Sequence, residues 1–199
     1  MYGAVTTTDE DMKIQSAYLK DSVRDSKVLY NIVHPSFHDP FRSVALKWRL
    51  YEECDYVSLD TTGMTKLCGY ERIGYSISHS VALPEIPSFE KTHNIERGNM
   101  SVCTLYRQKT PSTVECYVRG FFDLKAKKEV LKNISIQTIA TQWSAFTRMS
   151  TFALAKKLSW KTSTSNCEHM WYLPSNLSLY HVYPTDLYEL QAASLLEMR

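Results

Sequence analysis

Several features that would reveal an activity are scarce or missing in this chain. It has 199 residues but only six glycines, and it contains no Gly-x-Ser-x-Gly elbow, P-loop or dinucleotide-binding glycine pattern. Its five cysteines are odd in number and form no Cys-x-x-Cys pair, which argues against a disulfide framework and a zinc site. His34 and His38 have helical spacing, but Pro35 lies between them. We therefore expect no metal, no cofactor and no enzymatic activity.

The charge and hydropathy of the chain limit the classes of molecule that it is expected to bind. The net charge of +2 comes from 23 basic and 21 acidic residues, a balance without the basic excess of a nucleic-acid-binding domain. No apolar run approaches the roughly 18 residues that a membrane-spanning helix needs. Residues Met1 to Asp11 are too polar for a signal peptide. We therefore expect a cytoplasmic protein that binds no nucleic acid, with peripheral contact to a membrane as an open alternative.

Three segments alternate with the period of two that is typical of β-strands. They are Arg72 to Leu83, Met100 to Gln108 and Thr113 to Phe122. The last two are joined by a short turn that contains a proline, and they predict a hairpin. A fourth strand is expected at Asp55 to Asp60, followed by a turn at Thr61 to Gly63.

The N-terminal part of the chain predicts helices. Thr8 is expected to cap a helix from about Glu10 to Leu19, whose first turn is acidic. A second short helix is expected from about Ser22 to Val33, because the His34-Pro35 pair that follows disfavours further helix. The apolar segment Val44 to Tyr51 is compatible with either a helix or a strand.

The C-terminal part of the domain predicts one long amphipathic helix. From about Lys127 to Leu158 no proline or glycine occurs, and apolar residues recur at helical spacing. With the strands, this pattern predicts an α+β fold in which a curved antiparallel sheet wraps against a long C-terminal helix, with a cavity for an apolar ligand between them. We place this domain at residues 1–160, and we interpret residues 161–199 as a linker and a weakly folded tail.

Four short motifs follow one another along the chain: Asp55-Tyr56-Val57, His79-Ser80-Val81, Glu96-Arg97-Gly98 and the segment Thr113 to Asp123. Their order and spacing resemble those of START (StAR-related lipid-transfer) domains, in particular the START-like domains of oomycetes. The resemblance implies the helix-grip fold and a non-catalytic module that binds a lipid or sterol-like ligand. It also implies that the strands which open the family's domain are missing here.

Together with the strand and helix patterns, the resemblance indicates which side chains contact the ligand, and a cluster of lysines indicates where the domain could contact a membrane. The expected ligand-binding residues are Tyr75, Ile77, His79, Val114, Cys116, Val118, Trp143, Phe146 and Met149. The sequence leaves open which face of each strand points inward. The cluster expected to dock transiently on a membrane surface consists of Lys125, Lys127, Lys128 and Lys132, for which a solvated surface is the alternative.

Two other functions remain open at this stage. Bulky aromatic side chains such as Phe121 and Phe122 could fill the cavity, which would leave a protein-interaction or scaffold domain. A cyclase or hydrolase of the helix-grip superfamily that uses His79 is the third hypothesis. Fold alone does not decide between them.

Overall fold

The fold is built around one sheet, in the residues that the computed structural model describes: 1, 3–52, 54–111, 113–123, 140–141, 144–145 and 148–164. The seven strands are β1 (Asp25–Val33), β2 (Ser43–Leu50), β3 (Cys54–Leu67), β4 (Glu71–Ser80), β5 (Glu96–Arg97), β6 (Asn99–Thr110) and β7 (Thr113–Asp123). The helices whose bounds are described are α1 (Asp9–Leu19), α2 (Glu90–His93) and α3 (Met149–Thr164), and residues 140–141 and 144–145 are also helical. The strand order is β1-β2-β3-β4-β6-β7 with antiparallel neighbours, and β5 pairs in parallel with β3.

The N-terminal helix forms where the sequence predicts it. The Thr8 side chain accepts a hydrogen bond of 3.0 Å from the backbone N–H of Asp11, which confirms the predicted N-cap. The helix ends at Lys20, which has the left-handed backbone conformation that often terminates helices. The Asp9 carboxylate accepts a hydrogen bond of 2.7 Å from the N–H of Val28, so α1 is fastened to β1.

The predicted second helix is wrong, because its sequence forms strand β1. Strand β1 pairs with β2. The segment Val44 to Tyr51, which the sequence left ambiguous, forms most of β2 and is therefore a strand. Non-local strand pairing satisfies the backbone of both segments and so outweighs their weak local preferences. The predicted hairpin of the last two strands is confirmed as β6 and β7.

Strand β3 continues through the turn that was predicted at Thr61 to Gly63. Every residue from Ser58 to Leu67 has a partner in β4, so the hairpin closes later. Its turn lies at Cys68 and Gly69, which have φ of 49° and 80°. Gly63 lies within the strand, where the absence of a side chain leaves room for Tyr75. A Cβ at this position would lie only 2.5 Å from the Tyr75 hydroxyl oxygen. The two strands therefore form a longer hairpin than the sequence predicts.

The predicted α+β helix-grip fold is wrong. The described residues are mostly a seven-stranded, mainly antiparallel sheet with short helices, and the last helix, α3, begins at Met149 instead of about Lys127. The side chain of Phe152 is 2% exposed, and its ring packs 5.7 Å from that of Tyr18 in α1. Because Phe152 of α3 is buried against α1, α3 packs on another helix. It therefore does not take the place of the long helix around which the sheet of a helix-grip fold wraps. It continues to Thr164, beyond the predicted boundary at residue 160.

Candidate binding site

A cavity of about 170 Å³ lies between the sheet and the two longer helices. Its floor is formed by residues of β2, β3, β4, β6 and β7, and its roof by Gln15 and Leu19 of α1 together with Ala145 and Met149. We call the face of the sheet that borders this cavity the inner face. The helices thus cover part of the inner face, and Phe89 of the loop before β5 packs against Trp48 on the opposite, outer face.

The strand register brings polar side chains onto the inner face. Residues directly opposite one another in an antiparallel pair share a face. Lys47 lies opposite Ser58, Ala45 opposite Asp60, and Asp60 opposite Ser78. The charged and hydroxyl side chains of β2, β3 and β4 therefore meet in the middle of the inner face.

Asp60 is the centre of a largely buried ion cluster, in which the side chains of Lys47, Asp60 and Arg49 are 3%, 13% and 16% exposed. Its Oδ2 accepts a hydrogen bond of 2.7 Å from Arg49 Nη2 and lies 3.3 Å from Lys47 Nζ. Its Oδ1 accepts hydrogen bonds of 2.8 Å from Ser58 and 2.6 Å from Ser78. Both carboxylate oxygens are thereby satisfied, which a buried charge requires. The cluster holds two cations and one anion.

The pKa values in this cluster follow from burial and pairing. Burial alone would raise the pKa of Asp60, but Arg49 and Lys47 hold it well below its ordinary value. Burial lowers the pKa of Lys47, and the attraction of Asp60 offsets only part of this effect. Lys47 Nζ also donates a hydrogen bond of 2.7 Å to the Thr6 hydroxyl. Asp60 is therefore ionised at neutral pH.

Apolar side chains form the other part of the cavity wall. Met100 and Phe122 line the cavity and belong to a buried cluster with Tyr51 and Tyr56. The rings of the two tyrosines meet edge to face, with their centroids 5.7 Å apart. Burial raises the pKa of Tyr106, which also lines the cavity, to about 12. The cavity thus combines an apolar region with the charged groups of Arg49 and Asp60.

Two cations attach the C-terminal helix to the N-terminal segment. Arg148 Nη1 donates a hydrogen bond of 2.6 Å to the backbone oxygen of Leu19, at the C-terminal end of α1. Lys156 Nζ donates one of 2.6 Å to the backbone oxygen of Val5 and lies 3.1 Å from the Asp11 carboxylate. Helices α1 and α3 are therefore held together as one cover over the cavity.

The three ligand-binding residues predicted in β4 do not have their side chains in the cavity. Tyr75, Ile77 and His79 share the outer face, although Ile77 borders the cavity. The inner face of β4 instead carries its small residues, among them Ser76 and Ser78. Small side chains leave room for the cavity, whereas the large ones would fill it.

The other predicted residues lie in the cavity wall, on strand β7 or outside the described parts of the chain. Met149 lines the cavity. Val114, Cys116 and Val118 share the inner face, but only Val118 is buried and none of them lines the cavity. The remaining predicted residues, Trp143, Phe146, Lys125, Lys127, Lys128 and Lys132, lie outside the described residues.

Lys47, Arg49 and Asp60 were not predicted from the sequence as site residues. A signal for the first two is present, because Ser43, Ala45, Lys47 and Arg49 alternate with Val44, Leu46, Trp48 and Leu50. Such alternation normally places the charged side chains in solvent. Here the charged face is the inner one, so the pattern identifies the strand but suggests the opposite orientation.

The comparisons with known proteins do not assign the chain to a family. No protein-family model matches it, and no curated protein was found to be similar. Within the described ranges, no group of three or more His, Cys, Asp or Glu side chains could hold a metal ion. None of the helices in the same ranges is both long and apolar enough to cross a bilayer.

Proposed function

We propose that the protein is a non-catalytic binding module for a hydrophobic ligand, which it holds between the inner face of the sheet and the cover formed by α1 and α3. The observation that carries this proposal is the partly open cavity with an apolar wall around Met100 and Phe122 and charged groups at Arg49 and Asp60. Ligand sites are commonly apolar concavities with a few convergent polar groups. A lipid is proposed as the class of ligand on the resemblance of four short motifs to START domains, although the fold that this resemblance implies is not the one observed.

The size of the cavity limits how much of a lipid it can hold. A volume of about 170 Å³ is close to the roughly 150 Å³ that accommodates benzene, and it is below the roughly 300–1,000 Å³ of drug-sized sites. The cavity therefore suits one end of a lipid, of about six to eight non-hydrogen atoms. Burial of this apolar surface would drive binding.

Native mass spectrometry of the purified protein, with extraction of any bound lipid, tests the proposal. The protein would be measured as isolated and after incubation with vesicles of phosphatidylcholine, cholesterol and oleic acid. We expect a stoichiometric adduct whose mass identifies the ligand. A clean mass of the unliganded chain in both measurements would contradict the proposal.

A pair of matched variants locates the site. Val102 lines the cavity, whereas Val44 is on the outer face of the same sheet. V102W should fill the cavity and abolish the adduct, and V44W should retain it. Thermal unfolding shows whether both variants are folded. If V102W is unfolded, the native mass spectrum of the wild-type protein alone decides the proposal.

Protein binding through the outer face is a second candidate function. Leu46, Leu59 and Ile77 lie next to one another there and are only partly buried in the described structure. Partly exposed apolar surface is a common feature of interaction sites. An unliganded mass for the wild-type protein would favour this candidate.

A further inference from the structure

We propose that the hairpin end of the sheet docks on an anionic membrane surface through Phe37 and Tyr70. We define the hairpin end as residues 34–42, 66–72, 107–111 and 113–115, which lie in and beside the connections β1–β2, β3–β4 and β6–β7. This surface is separate from the cavity, and the inference does not depend on ligand binding.

The topology places these three connections at the same end of the sheet. Strands β1, β3 and β6 run in one direction, and β2, β4 and β7 return in the other. The pairs Val33 with Val44, Leu67 with Glu71 and Thr110 with Thr113 close the hairpins. Antiparallel strands in this order turn at the same end of the sheet, so all three connections lie there. The β3–β4 hairpin extends six residues beyond Thr61, the β3 residue opposite Val44, so its tip projects furthest along the strands.

Two aromatic side chains at this end, Phe37 and Tyr70, are almost fully exposed. Phe37 is 94% exposed and Tyr70 is 93% exposed, the two highest values among the exposed large apolar side chains. A tyrosine or phenylalanine side chain normally buries much of its area. Aromatic residues are enriched where a protein meets the interface between lipid and water.

Local hydrogen bonds hold both connections in defined conformations. Tyr70 follows the two positive-φ residues Cys68 and Gly69, and its N–H donates a hydrogen bond of 3.2 Å to Leu67. In the β1–β2 connection, the N–H of Asp39 donates to the Ser36 hydroxyl at 3.1 Å. The Phe41 backbone oxygen accepts a hydrogen bond of 2.7 Å from Thr62, which anchors that connection to β3. Less conformational entropy is therefore lost when the tips bind a surface.

The charge of the hairpin end matches an anionic surface. It contains five Lys and Arg residues, which are Arg42, Lys66, Arg72, Arg107 and Lys109, against three acidic residues, which are Asp39, Glu71 and Glu115. Two of the acidic residues are paired, Glu71 with Arg107 at 2.6 Å and Glu115 with Lys109. Basic residues near a membrane surface are attracted to anionic lipids.

The separation of the aromatic side chains favours a membrane over a protein partner. Phe37 and Tyr70 project from different hairpins, with basic residues in the connections between and beside them. A protein interface usually has a contiguous apolar centre from which charged residues are depleted. A bilayer accepts single aromatic anchors beside lysine and arginine side chains that reach the headgroups.

Co-sedimentation with vesicles tests the inference on the full chain. The probes are phosphatidylcholine vesicles with and without phosphatidylserine, at low and high salt. We expect wild-type protein to bind the phosphatidylserine vesicles at low salt, and F37A/Y70A to bind at least about fivefold more weakly. Y30A is the matched control, because Tyr30 is also 67% exposed but lies within β1. It should bind as the wild type does.

Charge reversal provides an independent test. R42E/K66E should lose about 25-fold in binding for each residue reversed, because each reversal changes the charge by two units and each unit is worth about fivefold. R24E/K27E makes the same change with two exposed residues at the opposite end of the sheet, and it should bind as the wild type does. Absence of wild-type binding to the anionic vesicles would overturn the inference, as would wild-type affinity of F37A/Y70A. Because all substituted side chains are exposed, the variants should unfold at the wild-type temperature.

Discussion

The Arg97 guanidinium donates two hydrogen bonds, both of 2.8 Å, to the carboxylate of Asp55, which is fully buried. Trp48 Nε1 donates a third, also of 2.8 Å, to Asp55 Oδ2. Arg97 belongs to β5 and Asp55 to β3, so this contact fastens the long connection after β4 to the outer face. Planar two-point pairing of this kind requires arginine.

We therefore expect R97K to lower the free energy of unfolding by roughly 1–3 kcal/mol, because a lysine cannot reproduce both hydrogen bonds to the buried carboxylate. Urea denaturation measures the change. R107K is the control, since Arg107 pairs with Glu71 at the exposed end of the sheet, and it should have no measurable effect. Equal effects of the two substitutions would contradict the role of the Arg97–Asp55 pair.

The buried ion cluster predicts opposite results for its anion and for one of its cations. D60N leaves Lys47 and Arg49 buried without a counter-charge, and it should cost about 3–5 kcal/mol of unfolding free energy. K47M leaves Arg49 paired with Asp60 and removes a desolvated charge, so it should change stability by no more than about 1 kcal/mol. Chemical denaturation at neutral pH compares them. A larger loss in K47M than in D60N would show that the cluster is not held by Asp60.

The same cluster predicts a loss of stability in acid. The folded-state pKa of Asp60 lies below its ordinary value of 3.8, so folding favours the ionised carboxylate. This contribution is fully present above the unfolded-state pKa, and it is lost as the pH falls through the lower pKa of the folded state. Unfolding free energy should therefore decrease below about pH 5. Measured as a series of urea denaturations, the decrease should be shallower in D60N, and an unchanged slope would contradict this assignment.

The burial of Phe152 indicates how strongly α3 is packed against α1 in the helical cover. It is 2% exposed and packs on Tyr18, so F152A should cost roughly 3–5 kcal/mol. L154A is a control in the same helix, because Leu154 is 38% exposed, and it should cost less than about 1 kcal/mol. Thermal unfolding of both variants gives the comparison. A small effect of F152A would mean that α3 contributes little to the folded state.

Much of the sheet is predictable from local patterns. The N-cap at Thr8 and the β6–β7 hairpin form as expected, because a capping hydroxyl, an acidic first turn and a period-two alternation act over a few residues. Segments with weak local preference were harder to assign. The segment Ser22 to Val33 was predicted as a helix, but its pairing with β2 makes most of it a strand.

The orientation of the strands could not be derived from alternation. In β4 the large residues Tyr75 and Ile77 suggested the inner face, yet the register places Ser76 and Ser78 there. Alternation distinguishes two faces without stating which one is covered. That choice depends on where α1 and α3 pack, which is decided by contacts over more than a hundred residues, such as Arg148 with Leu19.

The sequence by itself determined the strands with clear alternation, the first helix and the absence of recognisable catalytic motifs, since these depend on short-range chemistry. The tertiary structure alone decided that Lys47, Arg49 and Asp60 lie beneath a helical cover and that Phe37 and Tyr70 share one end of the sheet. These residues are separated along the chain, and only the pairing of strands brings their side chains to one place. The physical reason is that strand register and helix packing are set by long-range burial and hydrogen bonding, which no local pattern encodes.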